Sequence, residues 1–393
     1  MQLSQSLHTY TEEQLSAREA QRLAEFIAWG PAVFQTARLM LKWGVLDLLR
    51  DSAEGLTRQQ ICQRTQLSDY AVRCLTEASL SIGIILVDPQ TERFTISKTG
   101  WFLINDPAVR VNIDFNQDVN YEGWFRLGES LKSGRPEGLR HFGDWPTVYE
   151  ALSQLPEQVR QSWFGFDHFY SDSAFPAALD IVFGQLHTRR LYDVGGNTGK
   201  WALRCVDFDP EVEVTVIDLP QQIEMMRRNI AGKRGAERIG GLALDLLDER
   251  ARFPKMEPAP DVIWMSQFLD CFSKPQIVGI LRRASEAMGA DTRICIMETL
   301  WDRQRFEPAA FCLTMTSLYF AAIANGNSKM YSSEDLVECI HEARLEVEQV
   351  YDHLGQGHSI LVCKKASPSS PSTPSTPSTP STPSTPSTPS LPN

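Results

Sequence analysis

No C-x-x-C pair occurs among the eight cysteines, Cys62, Cys74, Cys205, Cys271, Cys295, Cys312, Cys339 and Cys363, so zinc-ribbon and thioredoxin chemistry find no support. Scattered in this way, they read as reduced, mostly buried thiols of a cytosolic protein. Excess positive charge is missing as well. The formal net charge is −11, which argues against bulk attraction to nucleic acid or an anionic membrane. No apolar run reads as long enough to span a bilayer. The N-terminus shows no basic region leading into an apolar stretch and a small-residue cleavage site. A cytoplasmic protein without nucleic-acid or membrane partners is expected. A G-x-x-x-x-G-K-[ST] phosphate loop is also missing.

What is present is an ordinary globular composition, 42% hydrophobic and 22% charged, over a length suited to two or three domains. The chain divides at 108, 185 and 365. Segment 366–393 is almost entirely Pro, Ser and Thr with P-S-T repeated. Such a segment buries no apolar surface and is expected to be a disordered appendage. Residues 1–108 read as mostly helical. Gly30-Pro31 breaks an early helical run, and Thr57 with Gln60 makes a capping-box pattern. Ser68 or Asp69 caps a second helix, and 84–87 and 93–96 flank a turn as two strands. Helix, helix, hairpin is the winged-helix pattern. Its 69–81 helix carries Arg73 against Asp69 and Glu77, a poor phosphate-binding face, so packing or dimerisation is the expected role. Segment 109–185 is rich in aromatics and is expected to be a helical connector beside a small-molecule pocket.

From 186 to 365 the pattern is α/β. Strands are expected at 191–194, 212–217, 242–244, 261–265 and 292–297, with helices between them and a closing strand pair at 345–351 and 359–363. This alternation implies a parallel sheet with helices on both faces. The decisive segment is Asp193-Val194-Gly195-Gly196-Asn197-Thr198-Gly199-Lys200. Glycines after a strand allow a tight turn and a close backbone approach to a ligand. Asn197 stands where the dinucleotide fingerprint wants its second glycine, and Asp193 suits a cationic or amine-bearing ligand better than a diphosphate. Asp218, ending the second strand, is placed to accept from ribose hydroxyls, and Asp245, after the third, to address an adenine edge.

On these residues the chain resembles the S-adenosylmethionine-dependent small-molecule O-methyltransferases of the caffeic acid and isoflavone type, with their bacterial polyketide-tailoring relatives. The resemblance runs to about residue 365. It implies a Rossmann-like class I methyltransferase domain behind a winged-helix dimerisation domain, a homodimer formed through that domain, S-adenosylmethionine as cofactor, and a small aromatic or polyketide-like acceptor. The segment Phe166-Asp167-His168-Phe169-Tyr170-Ser171-Asp172 is similar to the family's F-N-x-x-M-S-D. By that likeness Phe166 and Ser171 touch the cofactor and Tyr170 the acceptor, beside Asp193, Gly195, Gly196, Gly199, Asp218 and Asp245.

The catalytic position departs from the family. Where it places H-D-W, this chain has Leu269-Asp270-Cys271-Phe272, with Asp270 in the place of the histidine that deprotonates the acceptor. Glu298 matches the glutamate that orients the histidine; a second such glutamate, due near 327–329, is missing. Unperturbed aspartate titrates near ~3.9 and a phenol near ~10, so Asp270 needs burial and a like-charged neighbour to raise it. The remaining options are His168 as base, a more acidic acceptor, or proximity alone. Methylation of a hydroxyl is the leading function. The alternatives are C-methylation of an activated ring, and an S-adenosylmethionine-binding homologue with lost or altered chemistry, such as a structural partner or a decarboxylase or hydroxylase component.

Overall fold

The structure, a computed structural model, describes residues 10–367; all but the first two positions of the Pro/Ser/Thr tail lie outside the described residues. Local chemistry sets the N-terminal helices. Helix Ala17–Ala28 gives way at Trp29 to Gly30–Lys42, whose second residue is Pro31, a position where the lost amide costs nothing. Gln60 donates its amide to Thr57 Oγ1 at 3.3 Å, and Thr57 returns its own to Gln60 Oε1 at 2.9 Å, opening helix Arg58–Thr65. Ser68 caps helix Asp69–Ser81 by accepting from the Ala71 amide at 3.1 Å. An antiparallel hairpin follows, β1 (Ile85–Val87) and β2 (Phe94–Ile96), with Ile85 opposite Ile96. Met40, Leu46, Leu49, Ile61, Val72 and Ile85 close one core beneath these elements.

Beyond residue 190 the chain builds a seven-stranded sheet. Strands β3 (Arg190–Val194), β4 (Glu213–Asp218), β5 (Ile239–Ala243), β6 (Val262–Ser266) and β7 (Arg293–Glu298) run parallel. Strands β8 (Leu345–Leu354) and β9 (His358–Lys365) close one edge antiparallel. The order is β5-β4-β3-β6-β7-β9-β8. Chain direction across the sheet reverses between β3 and β6, and the carboxyl ends of strands at such a point form a ligand crevice. Strand β5 starts at Ile239, where it begins to pair with Val214 of β4, rather than at the expected 242; Gly240 and Gly241 dilute its apolar pattern in the sequence. Each face of the sheet buries its own core. On one face Trp201 and Trp264 stack with ring centroids 4.5 Å apart, and neither indole N–H finds a partner.

The aromatic connector folds into short helices over the carboxyl ends of the strands. Phe115 stacks on Phe166 at 4.0 Å, fixing helix Pro107–Phe115 against helix Glu157–Asp172. Trp163 donates its indole N–H to the Tyr319 hydroxyl at 2.7 Å, which ties that helix to Glu307–Tyr319. This last helix continues as a π turn, Phe320–Ala324. Contrary to the expectation that no run could span a bilayer, Glu307–Ala324 has the length and composition for it, with a mean hydropathy of 1.2 over 18 residues. Its apolarity has a use inside the protein: Ala310 and Ala321 are buried, and Leu313, Tyr319, Phe320, Ala322, Ile323 and Ala324 belong to the connector's core.

Candidate active site

Strand β3 ends in a turn that needs its glycines. Gly195 and Gly199 have φ of +74° and +75°, where any other residue is strained. Sterics are equally strict: a Cβ on Gly195 would stand 2.3 Å from the Phe268 ring, and one on Gly196 2.5 Å from Asp193 Oδ2. Asp218, at the end of β4, reaches over to hold the turn. Its Oδ2 accepts from the Asn197 amide at 2.8 Å and its Oδ1 from the Leu219 amide at 2.7 Å. Each oxygen keeps a lone pair for a ligand.

In front of this turn lies a cavity of about 520 Å³, within the range of small-molecule sites. One end is walled by Gly195, Asn197, Asp218, Leu244 and Asp245, the other by Phe115, Trp163, Phe166, Tyr170, Tyr319 and Met330. Buried acceptors on its wall lack partners, namely Asn197 Oδ1, Gln222 Oε1 and Gln267 Oε1. The glycine cradle, the Asp218 carboxylate and these unpaired oxygens fit an adenosyl ligand with ribose hydroxyls and amino groups to donate.

The expected site residues divide by position. Gly195, Asp218, Asp245, Phe166, Tyr170 and Asp270 line the cavity. Gly196 and Gly199 stand behind the turn, packed on Asp193 and Met226. Asp193 is also behind it: 2% exposed, with Oδ2 unpartnered, and pushed up to about 8 by burial and then by the charge of Asp218. Asp245 closes a local turn by accepting from the Leu247 amide at 2.8 Å. The Tyr170 hydroxyl donates to Asn112 Oδ1 at 3.1 Å, and burial, then the neighbouring Cys312 thiol, pushes it to about 12.

Helical geometry separates His168 and Ser171 from the cavity. Trp163, Phe166, Asp167 and Tyr170 line it at i, i+3, i+4 and i+7 on one helix. His168 falls off that stripe. Its ring tilts against Phe164 at 5.6 Å, and burial, then Lys200, lowers its pKa. It does not line the cavity, and the cavity-facing neighbour is Asp167, to which the sequence reading gave no role. Among the described residues the Ser171 hydroxyl donates to Asp172 Oδ1, at 3.5 Å.

Asp270 sits in the 3-10 turn Leu269–Cys271 after β6, 7% exposed, on the cavity wall. The Cys271 thiol donates to its Oδ1 at 3.4 Å. Burial pushes Asp270 up to about 6, against the lowering effect of that thiol and of the turn's own amides. Glu298, at the end of β7, does not touch the cavity. Its Oε1 accepts from the Phe268 and Leu269 amides at 3.1 and 2.8 Å, so it braces the turn that presents Asp270. In place of the absent second glutamate, Asn325 holds the same turn by donating to the Cys271 carbonyl at 2.7 Å. Sequence reasoning also missed Thr299, whose buried hydroxyl has no partner and lines the cavity.

Known proteins resemble this chain in sequence and in fold. The chain is 23% identical to an L-tyrosine C(3)-methyltransferase of Streptomyces lavendulae, over 87% of this chain and 93% of that one. It is 21% identical to the mitomycin biosynthesis 6-O-methyltransferase of the same organism, over 82% and 87%. Its fold matches an O-methyltransferase from neocarzinostatin biosynthesis, solved with S-adenosylmethionine and 2-hydroxy-5-methyl naphthoic acid, with a TM-score of 0.63 and 19% identity over 85% of this chain and 96% of the other. Residues 21–94 match the family model of the Dimerisation2-like domain, and 146–339 that of the O-methyltransferase domain. The chain belongs to the O-methyltransferase domain family and is an S-adenosylmethionine-dependent methyltransferase.

Proposed function

We propose that the protein methylates a hydroxyl of a small aromatic or polyketide-like acceptor, with Asp270 receiving the acceptor's proton. One observation carries this reading: Asp270 and the Gly195–Asp218 cradle open into a single cavity whose far end is aromatic. Bound at the cradle, S-adenosylmethionine supplies an electrophilic methyl group. Asp218 and the Gly195 backbone hold the adenosyl end, while Phe166 and the aromatic wall exclude water from the acceptor end. Asp270 accepts the hydroxyl proton, and its raised pKa narrows the gap to a phenol. Incubating the protein with S-adenosylmethionine and a panel of phenols, catechols and hydroxyquinones, with mass spectrometry for the gain of one methyl group, tests the reading. No methylated product across the panel, from protein that binds the cofactor by calorimetry, would sink it.

A second reading places the methyl group on ring carbon. It is favoured by the likeness to the L-tyrosine C(3)-methyltransferase along nearly the full length of both chains. A carboxylate also suits that chemistry, since it can take the phenol proton, return it to the oxygen of the C-methylated dienone, and then take the ring proton. Fragmentation of the product separates the two, because only O-methylation removes the free phenol.

The working assembly we propose is a homodimer formed through the N-terminal domain. The helix Ala17–Ala28 and the residue after it expose Leu23, Phe26, Ile27 and Trp29, inside the dimerisation-type segment. A cytoplasmic setting agrees with eight free thiols.

A further inference from the structure

We propose that the acceptor carries a protonated amine as well as its hydroxyl, and that Asp167 holds the ammonium group. The inference names the acceptor class for the methyl-transfer reading and rests on it. Asp167 lines the cavity from the stripe 163, 166, 167, 170 of helix Glu157–Asp172, between Trp163 one turn before it and Tyr170 one turn after. Among the described residues no donor hydrogen-bonds its carboxylate, and its one ion-pair partner is His168 Nε2 at 4.0 Å. Burial, then Lys200, lowers the pKa of that ring, so it supplies no standing charge at neutral pH. The Asp167 side chain is 29% exposed, which leaves it within reach of a ligand in the cavity it lines.

The wall around Asp167 has the charge that a cation needs. Glu150, Asp167, Asp218, Asp245 and Asp270 all line the cavity. Against them stands one cationic side chain, Arg135, which is 69% exposed and paired with Glu137 at 3.2 Å. A cleft lined by one sign of charge draws in ligands of the other sign and turns away its own. S-adenosylmethionine is itself a cation and answers part of this charge beside Asp218. Asp167 belongs to the aromatic end, where the rings of Trp163, Phe166, Tyr170 and Tyr319 line the same space. Ring faces attract an ammonium group, an attraction that neutral and anionic groups do not share. A separate observation also points to a polar ligand. Thr299, directly after β7, is 4% exposed, lines the cavity, and has no partner for its hydroxyl. An ammonium group has three N–H donors to place, and an unpaired carboxylate and an unpaired hydroxyl on one cavity are acceptors for them. Burial, then the charges of Asp270 and Asp172, pushes Asp167 up to about 7, with Lys200 opposing; a cation against the carboxylate favours its ionised form. With the amine on Asp167, Asp270 stays free for the hydroxyl proton.

Calorimetry on the full chain saturated with S-adenosylhomocysteine, the spent cofactor, tests this without turnover at pH 8, where Asp167 is mostly ionised. The probes share one phenol ring and differ in the charge of its chain: tyramine, 4-ethylphenol and 3-(4-hydroxyphenyl)propionic acid. Tyramine is expected to bind at least about 10-fold more tightly than 4-ethylphenol, the size of one charge-assisted hydrogen bond, and the propionic acid more weakly than either. Asp167→Asn should remove the advantage of tyramine and leave 4-ethylphenol within about two-fold of its wild-type affinity, since the neutral probe makes no such bond. Asp167→Glu should keep tyramine ahead. Circular dichroism checks that each variant is folded, and the wild-type comparison stands without any variant. Tyramine binding undetected, or no tighter than 4-ethylphenol, in wild type overturns the proposal. So does a folded Asp167→Asn protein that keeps the preference; if its affinity for S-adenosylmethionine falls instead, the carboxylate serves the cofactor. Loss of the preference in Asp270→Asn alone moves the ammonium site to Asp270 and overturns the assignment. Methylation of 4-ethylphenol as readily as tyramine faults the amine and spares the methyl-transfer reading. Tyramine held by Asp167, with no methylated product from it or from the phenol panel, faults that reading and spares the binding.

Discussion

The backbone amide of Asn197 donates to the carboxylate of Asp218 at 2.8 Å, joining the turn after β3 to the end of β4. One carboxylate thus shapes the glycine turn and faces the cavity in front of it. The turn and its ligand contact are not independent parts.

Asp218→Ala removes both functions. Loss of a charge-assisted acceptor costs about 1.5–3 kcal/mol, so S-adenosylmethionine should bind roughly 10- to 100-fold more weakly. Calorimetry reads the constant, and binding within a factor of about two of wild type would contradict the assignment.

Gly195→Val should be more severe. It combines a positive φ with a Cβ 2.3 Å from the Phe268 ring, and strain of this kind costs on the order of 1–3 kcal/mol. Cofactor binding is expected to disappear while most of the protein stays folded. Melting temperature and calorimetry on the same sample separate the two effects.

Asp270→Asn keeps the size of the side chain and removes the base. Turnover is expected to fall about 100-fold or more, the usual contribution of a general base, with cofactor affinity nearly unchanged. The wild-type rate should decline as pH falls through about 6, because protonation disables Asp270. A flat profile between pH 5 and 8 on a phenol would argue against it.

Asp193 controls stability rather than chemistry. Its pKa is raised in the fold to about 8, so the folded state prefers the neutral acid. The unfolded carboxylate titrates near ~3.9. The favourable contribution is therefore complete below about pH 4 and is lost as pH rises towards 8, by at most about 1.4 kcal/mol per pH unit. Asp193→Asn should close this gap, and its melting temperature should gain on wild type between pH 5 and pH 8. Parallel curves would show that Asp193 does not titrate as described.

Ile27→Glu with Trp29→Glu introduces charge into the exposed apolar face of the first helix. Sedimentation is expected to shift from dimer to monomer at the same protein concentration. An unchanged sedimentation profile would place the interface elsewhere.

Much of this was legible in the sequence. The strand–glycine–helix turn at 193–200 and the carboxylates 218 and 245 announce themselves because their residue types are rare in that order. Their convergence on one cavity follows from parallel strands ending at the same edge. Strand β5 was read short because its glycines carry no hydropathy. The cavity's other end was harder. His168 drew attention as the titratable type nearest neutrality, yet one helical step of about 100° turns it from the cavity and brings Asp167 in. The i, i+3, i+4, i+7 spacing of Trp163, Phe166, Asp167 and Tyr170 was the available signal. Glu298 matched its family position, but its hydrogen bonds go to backbone amides rather than to the side chain at position 270.

The stacked indoles of Trp201 and Trp264 have an optical consequence. Two nearly parallel buried indoles with ring centroids 4.5 Å apart couple their strong transitions and give a far-ultraviolet exciton couplet that an isolated tryptophan lacks. Trp201 is the second residue of helix Lys200–Phe208, directly after the glycine turn, so the stacked pair sits at the base of the cradle. The native protein therefore carries an intrinsic optical marker of its packed sheet face, readable without a dye.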